Sequence, residues 1–160
     1  MSQAIVQNLK GPFDRVFGML GQYLEVCPDA VWDKTFGAWP VWRQWYHALA
    51  AVDFFTMQDG SSATPAPLGP DAGSLSAAYT GPALTKEQGK AFLVAAQKTA
   101  DAYFAGLTDA MLVAKNQGFS ARLNTELSHA VTASMLAGHA FYHLGCCDAA
   151  LREAGLKGVF

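Results

Sequence analysis

The sequence predicts an all-α fold, a four-helix bundle with a long Pro/Gly-rich loop between its second and third helices. Three observations carry that prediction. Apolar residues recur at three-and-four spacing in four separate stretches, the pattern of helices that each bury one face. No stretch of useful length alternates apolar and polar residues as a half-buried strand does. Residues 58–84 have no periodicity and carry four prolines (Pro65, Pro67, Pro70 and Pro82), so they divide the helices into two pairs. A chain of 160 residues suits one domain, 1–160, long enough to bury its own core.

The first helix is expected from about Ser2 to Val26, on Val6, Leu9, Phe13, Val16, Phe17, Leu20, Tyr23 and Leu24. Gly11-Pro12 should kink it or split off its first two turns, and Cys27-Pro28-Asp29 ends it. An aromatic connection, Trp32 to Pro40, follows. Pro40 suits the first turn of a second helix running to about Met57, where its missing N–H costs nothing. Trp42, Trp45, Tyr46, Leu49, Val52, Phe54 and Phe55 make that helix apolar round most of its circumference, which implies burial on several sides. Thr85 with Gln88 is a capping box opening a third helix, Lys86 to Ala105, ended by Gly106. Thr108 to Leu112 can form one more turn. Ser120 or Asn124 is expected to cap the fourth helix, which continues to Glu153 and stops at Gly155.

Composition limits the function classes. Half the residues (51%) are hydrophobic and 15% are charged, which is globular rather than disordered. A formal charge of −2 offers no basic face for nucleic acid and no polybasic membrane patch. The start of the chain lacks the features of a signal peptide. The 21-residue uncharged run from Leu127 to Cys147 holds three His, three Ser/Thr and two Gly, so a buried bundle helix fits it better than a membrane span. Three cysteines do not make a disulfide framework, and a cytoplasmic protein is expected.

Chemistry concentrates in the fourth helix. His139 and His143 lie four apart, hence one turn apart on one face, where two imidazoles can chelate one ion. No acidic or basic side chain other than histidine lies between Glu126 and Asp148, so these rings need a partner within apolar surroundings. The competing reading is a pair of core histidines bonded to carbonyls. His129, ten and fourteen residues away, is about 15 and 21 Å along a continuous helix and cannot share their ion. His47, mid-way along the second helix, is the remaining candidate, since bundle sites are built from facing helices. Three imidazoles leave a coordination position open, as catalytic sites do, and suit zinc, nickel or iron. No carboxylate stands at facial-triad spacing beside the pair, which weighs against an iron oxygenase.

Trp45-Tyr46-His47-Ala48-Leu49-Ala50-Ala51-Val52-Asp53-Phe54-Phe55 resembles the second-helix segment of the DinB-like family of metal-dependent four-helix-bundle proteins. His139-Ala140-Phe141-Tyr142-His143-Leu144-Gly145, then Leu151-Arg152-Glu153-Ala154-Gly155, is similar to that family's last helix. The start of the third helix, Thr85-Lys86-Glu87-Gln88, and Leu107-Thr108-Asp109 are in the same style. The chain departs from the family at Cys146, often glutamine there, and in its long proline-rich loop. The resemblance implies His47, His139 and His143 as ligands of a divalent metal, a homodimer, and a small-molecule reaction: hydrolysis, or transfer involving a low-molecular-weight thiol. The alternative function is a non-catalytic metal-binding or stress-response module.

Several side chains have two readings. Tyr46 and Tyr142 flank the histidines and are either proton donors or core. Asp53 either orients a histidine or is bonded elsewhere. Cys147, four residues after His143, shares its helical face and is either close to the ion or a packing residue, whereas Cys146 points about 100° away. The 58–84 loop is either a lid over the site, its removal sparing metal affinity, or a passive arm.

Overall fold

The computed structural model describes residues 2–58 and 60–160; Asp59, within the expected loop, lies outside the described residues. The described residues are all-α apart from one minimal hairpin and an isolated bridge between Lys115 and Ser128. Four long helices, α1 (Ala4–Val26), α3 (Val41–Thr56), α5 (Lys86–Ala105) and α7 (His129–Glu153), make up most of it. Each of α1 and α3 packs against both α5 and α7, with α3 against α7 the most extensive pairing. Their apolar faces meet in one continuous core that includes Phe13, Phe17, Leu20, Trp45, Phe104 and Leu136. Trp45 is fully buried, and its indole N–H donates to the Leu20 carbonyl at 3.0 Å, as a buried indole must.

Shorter elements fill the connections. They are α2 (Asp29–Trp32), the paired strands β1 (Thr35–Phe36) and β2 (Trp39–Pro40), α4 (Pro70–Gly73), a 3-10 turn (Asp109–Val113) and α6 (Gln117–Leu123). The hairpin turns at Gly37, whose φ of 66° is a left-handed conformation suited to glycine. Gly118 has another reason to be glycine. A Cβ there would run into the Met57 carbonyl, where α6 abuts the end of α3.

Pro12 does not split off the first two turns of α1. The carbonyl it frees is that of exposed Asn8, which solvent can satisfy, so the helix continues. α1 has no side-chain cap of its own; Asp109 accepts from the Ile5 and Val6 N–H groups at 2.9 and 3.0 Å and caps it from across the molecule. The fourth long helix begins at His129, not at Ser120 or Asn124. Asn124 adopts φ 49°, which terminates α6, and Ser128 then caps α7 by accepting from the Val131 N–H.

The long loop is fastened at many points. Arg43 of α3, only 6% exposed, puts its guanidinium among backbone carbonyls of the loop. It donates to Asp71 at 2.9 Å, Ser74 at 2.7 Å, Ala77 at 2.6 Å and Ala72 at 3.4 Å. Its charge also faces the end of α4, where carbonyls are uncommitted and the helix dipole is negative. Tyr46 donates to the Leu68 carbonyl at 2.8 Å, and Trp32 to that of Leu84 at 2.7 Å. Asp53 accepts from the Thr64 amide and hydroxyl at 2.8 and 2.5 Å. Arg43→Met should therefore lower stability by about 2 kcal/mol or more for the carbonyls left unpaired, read as a lower urea midpoint, and make residues 60–84 cleavable under limited proteolysis.

Candidate metal centre

α3 and α7 bring His47, His139 and His143 together. One ligand atom from each lies within 4.8 Å of the others. Their ring centroids are 4.9 Å (His47 to His139), 4.5 Å (His47 to His143) and 4.5 Å (His139 to His143) apart. The i, i+4 spacing on α7 places two of the rings; the packing of α3 against α7 places the third. His143 is buried at 4% exposure, while His47 and His139 are half-buried, so the centre reaches solvent on the side of those two.

Hydrogen bonds decide which ring nitrogens are free. His47 Nδ1 is 2.6 Å from the Gly73 carbonyl of the loop, and a carbonyl only accepts, so this nitrogen carries the proton. His143 Nδ1 donates to Gln44 Oε1 at 2.7 Å. Both rings therefore offer an unprotonated Nε2 to the centre, the arrangement that oxygen partners impose on metal-binding histidines. His139 Nε2 lies 3.1 Å from His47 Nε2 and supplies the proton between them. Its Nδ1 is buried without a partner among the described residues. His139 alone has no carbonyl or amide holding its second nitrogen, and the Phe55 ring, 5.4 Å away between centroids, is its neighbour.

This set fits a divalent ion. Two nitrogens each about 2.0–2.1 Å from a shared zinc lie roughly 3 Å apart, close to the separation of His47 and His139. All three rings are neutral at pH 7, the form that binds metal. Burial lowers the His143 pKa to about 3 and that of His139 to about 4, with proximity of the other imidazoles adding to it. Burial also lowers His47, offset in part by its bond to Gly73.

The other candidates lie elsewhere or are committed. His129 stays outside, its Nδ1 2.9 Å from the Tyr103 hydroxyl. Cys147 is buried with its thiol against the Val41 carbonyl at 3.8 Å, and burial pushes its pKa up, so packing is its role. Cys146 is half-exposed. Asp53 orients no histidine; it fastens Thr64. Tyr46 is buried and spent on Leu68, whereas Tyr142 is 67% exposed with its ring edge against His143. The loop reaches the centre directly, because its Gly73 carbonyl meets His47 Nδ1. Gln44 and Gly73 are the site residues that sequence reasoning missed. Gln44 sits three residues before His47 on the same helical face, a signal that was available; nothing marks Gly73.

No protein-family model, curated protein or solved structure matches this chain.

Two outcomes are expected from this geometry. In chelator-competition titrations with zinc, His47→Ala, His139→Ala and His143→Ala should lose stoichiometric binding and His129→Ala should keep it. Gln44→Leu should weaken affinity about 10- to 100-fold, the usual cost of removing a partner that orients a ligand. The second concerns acid. Because folding lowers these pKa values, the metal-free unfolded chain takes up protons first, below about 6.5. The contribution is complete above that pH and is lost progressively as pH falls towards 4 and 3. Urea midpoints of the metal-free protein should accordingly be lower at pH 5 than at pH 7.5, and those of a His139→Phe/His143→Leu double variant should fall less.

Proposed function

We propose that the protein is a four-helix bundle of the DinB-like type that holds one divalent metal between His47, His139 and His143 and acts on a small molecule. The observation that carries this reading is the convergence of three neutral imidazoles, two with their Nδ1 atoms fixed by oxygen acceptors so that Nε2 is presented inward. The order of the long helices supports it too, with one ligand on the second and an i, i+4 pair on the fourth. A divalent ion bound there supplies Lewis acidity, lowering the pKa of a coordinated water or thiol or polarising a carbonyl.

The chain's own contribution is orientation of the rings within a largely apolar setting. Gln44 and Gly73 keep two rings from rotating, and Phe55 shields the third. With three neutral donors the full charge of the ion is retained, which favours an anionic partner. Hydrolysis and transfer of a low-molecular-weight thiol are the reactions that this donor set serves. Zinc and nickel suit the imidazoles best, with iron compatible.

Cobalt loading tests this. The protein is expected to take up one equivalent and, with small thiols such as cysteine or glutathione, to develop a sulfur-to-cobalt charge-transfer band that is absent in His143→Ala. A loaded protein with no band for any such thiol but rapid water exchange would leave hydrolysis as the activity. Failure to take up cobalt or zinc stoichiometrically would overturn the metal reading itself.

A further inference from the structure

A second concave region lies away from the histidine centre, between α3, α5 and the start of the long loop. It is open on one side and has a volume of about 740 Å³, within the range of roughly 300–1,000 Å³ typical of small-molecule pockets. One face of α5 forms its floor: Ala95, Lys98, Thr99, Ala102 and Tyr103 follow the i, i+3, i+4, i+7, i+8 pattern. The last turn of α3 and residues Ser61–Pro65 form the walls, and Leu107, Met111 and His129 close one end. None of the three centre histidines lines it. Its floor is a helical face that no other helix covers.

The polar groups here divide into those already satisfied and those left over. Asp53 has both carboxylate oxygens bonded to Thr64, and the Thr64 and Thr99 hydroxyls are 2.8 Å apart. Tyr103 oxygen accepts from the Asn116 amide at 3.4 Å and lies 2.9 Å from His129 Nδ1, so both aromatic groups are already hydrogen-bonded. Lys98, exposed at the rim, forms no ion pair among the described residues. The group left over is thus a cation. Thr56, Gln58, Ser61 and Ser62 add polar edges, and most of the remaining surface is hydrocarbon from Met57, Pro65, Ala95, Ala102, Leu107 and Met111.

We propose that this cavity binds an amphipathic monocarboxylate, its hydrocarbon tail along the α5 face and its carboxylate held by Lys98. A cation on a flexible stem over an apolar trough is suited to such a ligand, because the stem can lie on the apolar wall while the ammonium meets the anion. The Asp53 charge on the same cavity disfavours a dianionic phosphate. The site is independent of the metal centre.

The test uses the full-length protein and 11-(dansylamino)undecanoate as fluorescent probe, displaced by dodecanoate or by dodecan-1-ol. Saturable probe binding reversed by dodecanoate is expected. Lys98→Glu should weaken dodecanoate by about tenfold or more, the loss of a charge-assisted contact, while leaving dodecan-1-ol within about twofold. Ala102→Trp and Ala95→Trp, which fill the trough from half-buried or exposed positions, should each abolish binding with helicity and zinc uptake unchanged. Two separate fillings guard against one of them misfolding. Dodecanoate binding that survives both tryptophans, or that is indifferent to Lys98→Glu, would overturn the proposal. Zinc uptake in the same samples reports on the histidine centre separately, so failure of one reading is distinguishable from failure of the other.

Discussion

The position of the long loop, and through it the shape of the histidine centre, depends on one buried cation. A guanidinium held at 6% exposure is costly unless its donors are used, and Arg43 uses them on four backbone carbonyls between Asp71 and Ala77. No lysine could do the same, since only the planar fork presents several donors in fixed directions. The Tyr79 ring lies beneath it, 5.6 Å from the guanidinium carbon. Between the first and last of those carbonyls lies Gly73, whose own carbonyl meets His47. A segment without helical periodicity is thus held in one place by a side chain four residues before the histidine that the segment orients.

The centre gains from its apolar surroundings in two ways. Burial keeps the imidazoles neutral, so no imidazolium has to be discharged before a metal ion is bound at neutral pH. Burial also strengthens the bonds from Gly73 and Gln44 that fix two of the rings. His139 is treated differently. It donates Nε2–H to His47, and its other nitrogen faces no acceptor among the described residues. An ion taken up through Nε2 would require that proton to leave or to move to Nδ1. The three histidines are therefore not equivalent, and His139 is the least firmly held.

α3 serves two regions with different faces. His47 and Gln44 look towards α7, whereas Thr56, nine residues on from His47 and so about 180° round, lines the cavity beside α5. Asp53 and Thr64 border that cavity as well, so the bonds that fasten the loop also shape its wall. The apolar circumference of α3 follows from this: helices, loop and cavity each take a part of it.

By itself the sequence determined the long helices, because hydrophobic periodicity and caps act over a few residues. The α5 capping box at Thr85 and Gln88 is formed as expected, and α3 and α5 end within a residue of their expected bounds. It also determined the i, i+4 histidine pair and the exclusion of His129, since both follow from the rise of a single helix. What it left open depends on competition or on contacts between distant segments. Ser120, Asn124 and Ser128 are all able to cap; only the left-handed turn at Asn124 and the seating of α6 against Met57 select Ser128. Asp53 and Cys147 had the right spacing to approach the histidines, but helix packing turned one towards Thr64 and the other towards Val41. The Gly73 carbonyl had no signal at all, because a backbone oxygen is the same in every residue and only the tertiary structure decides which one meets an imidazole.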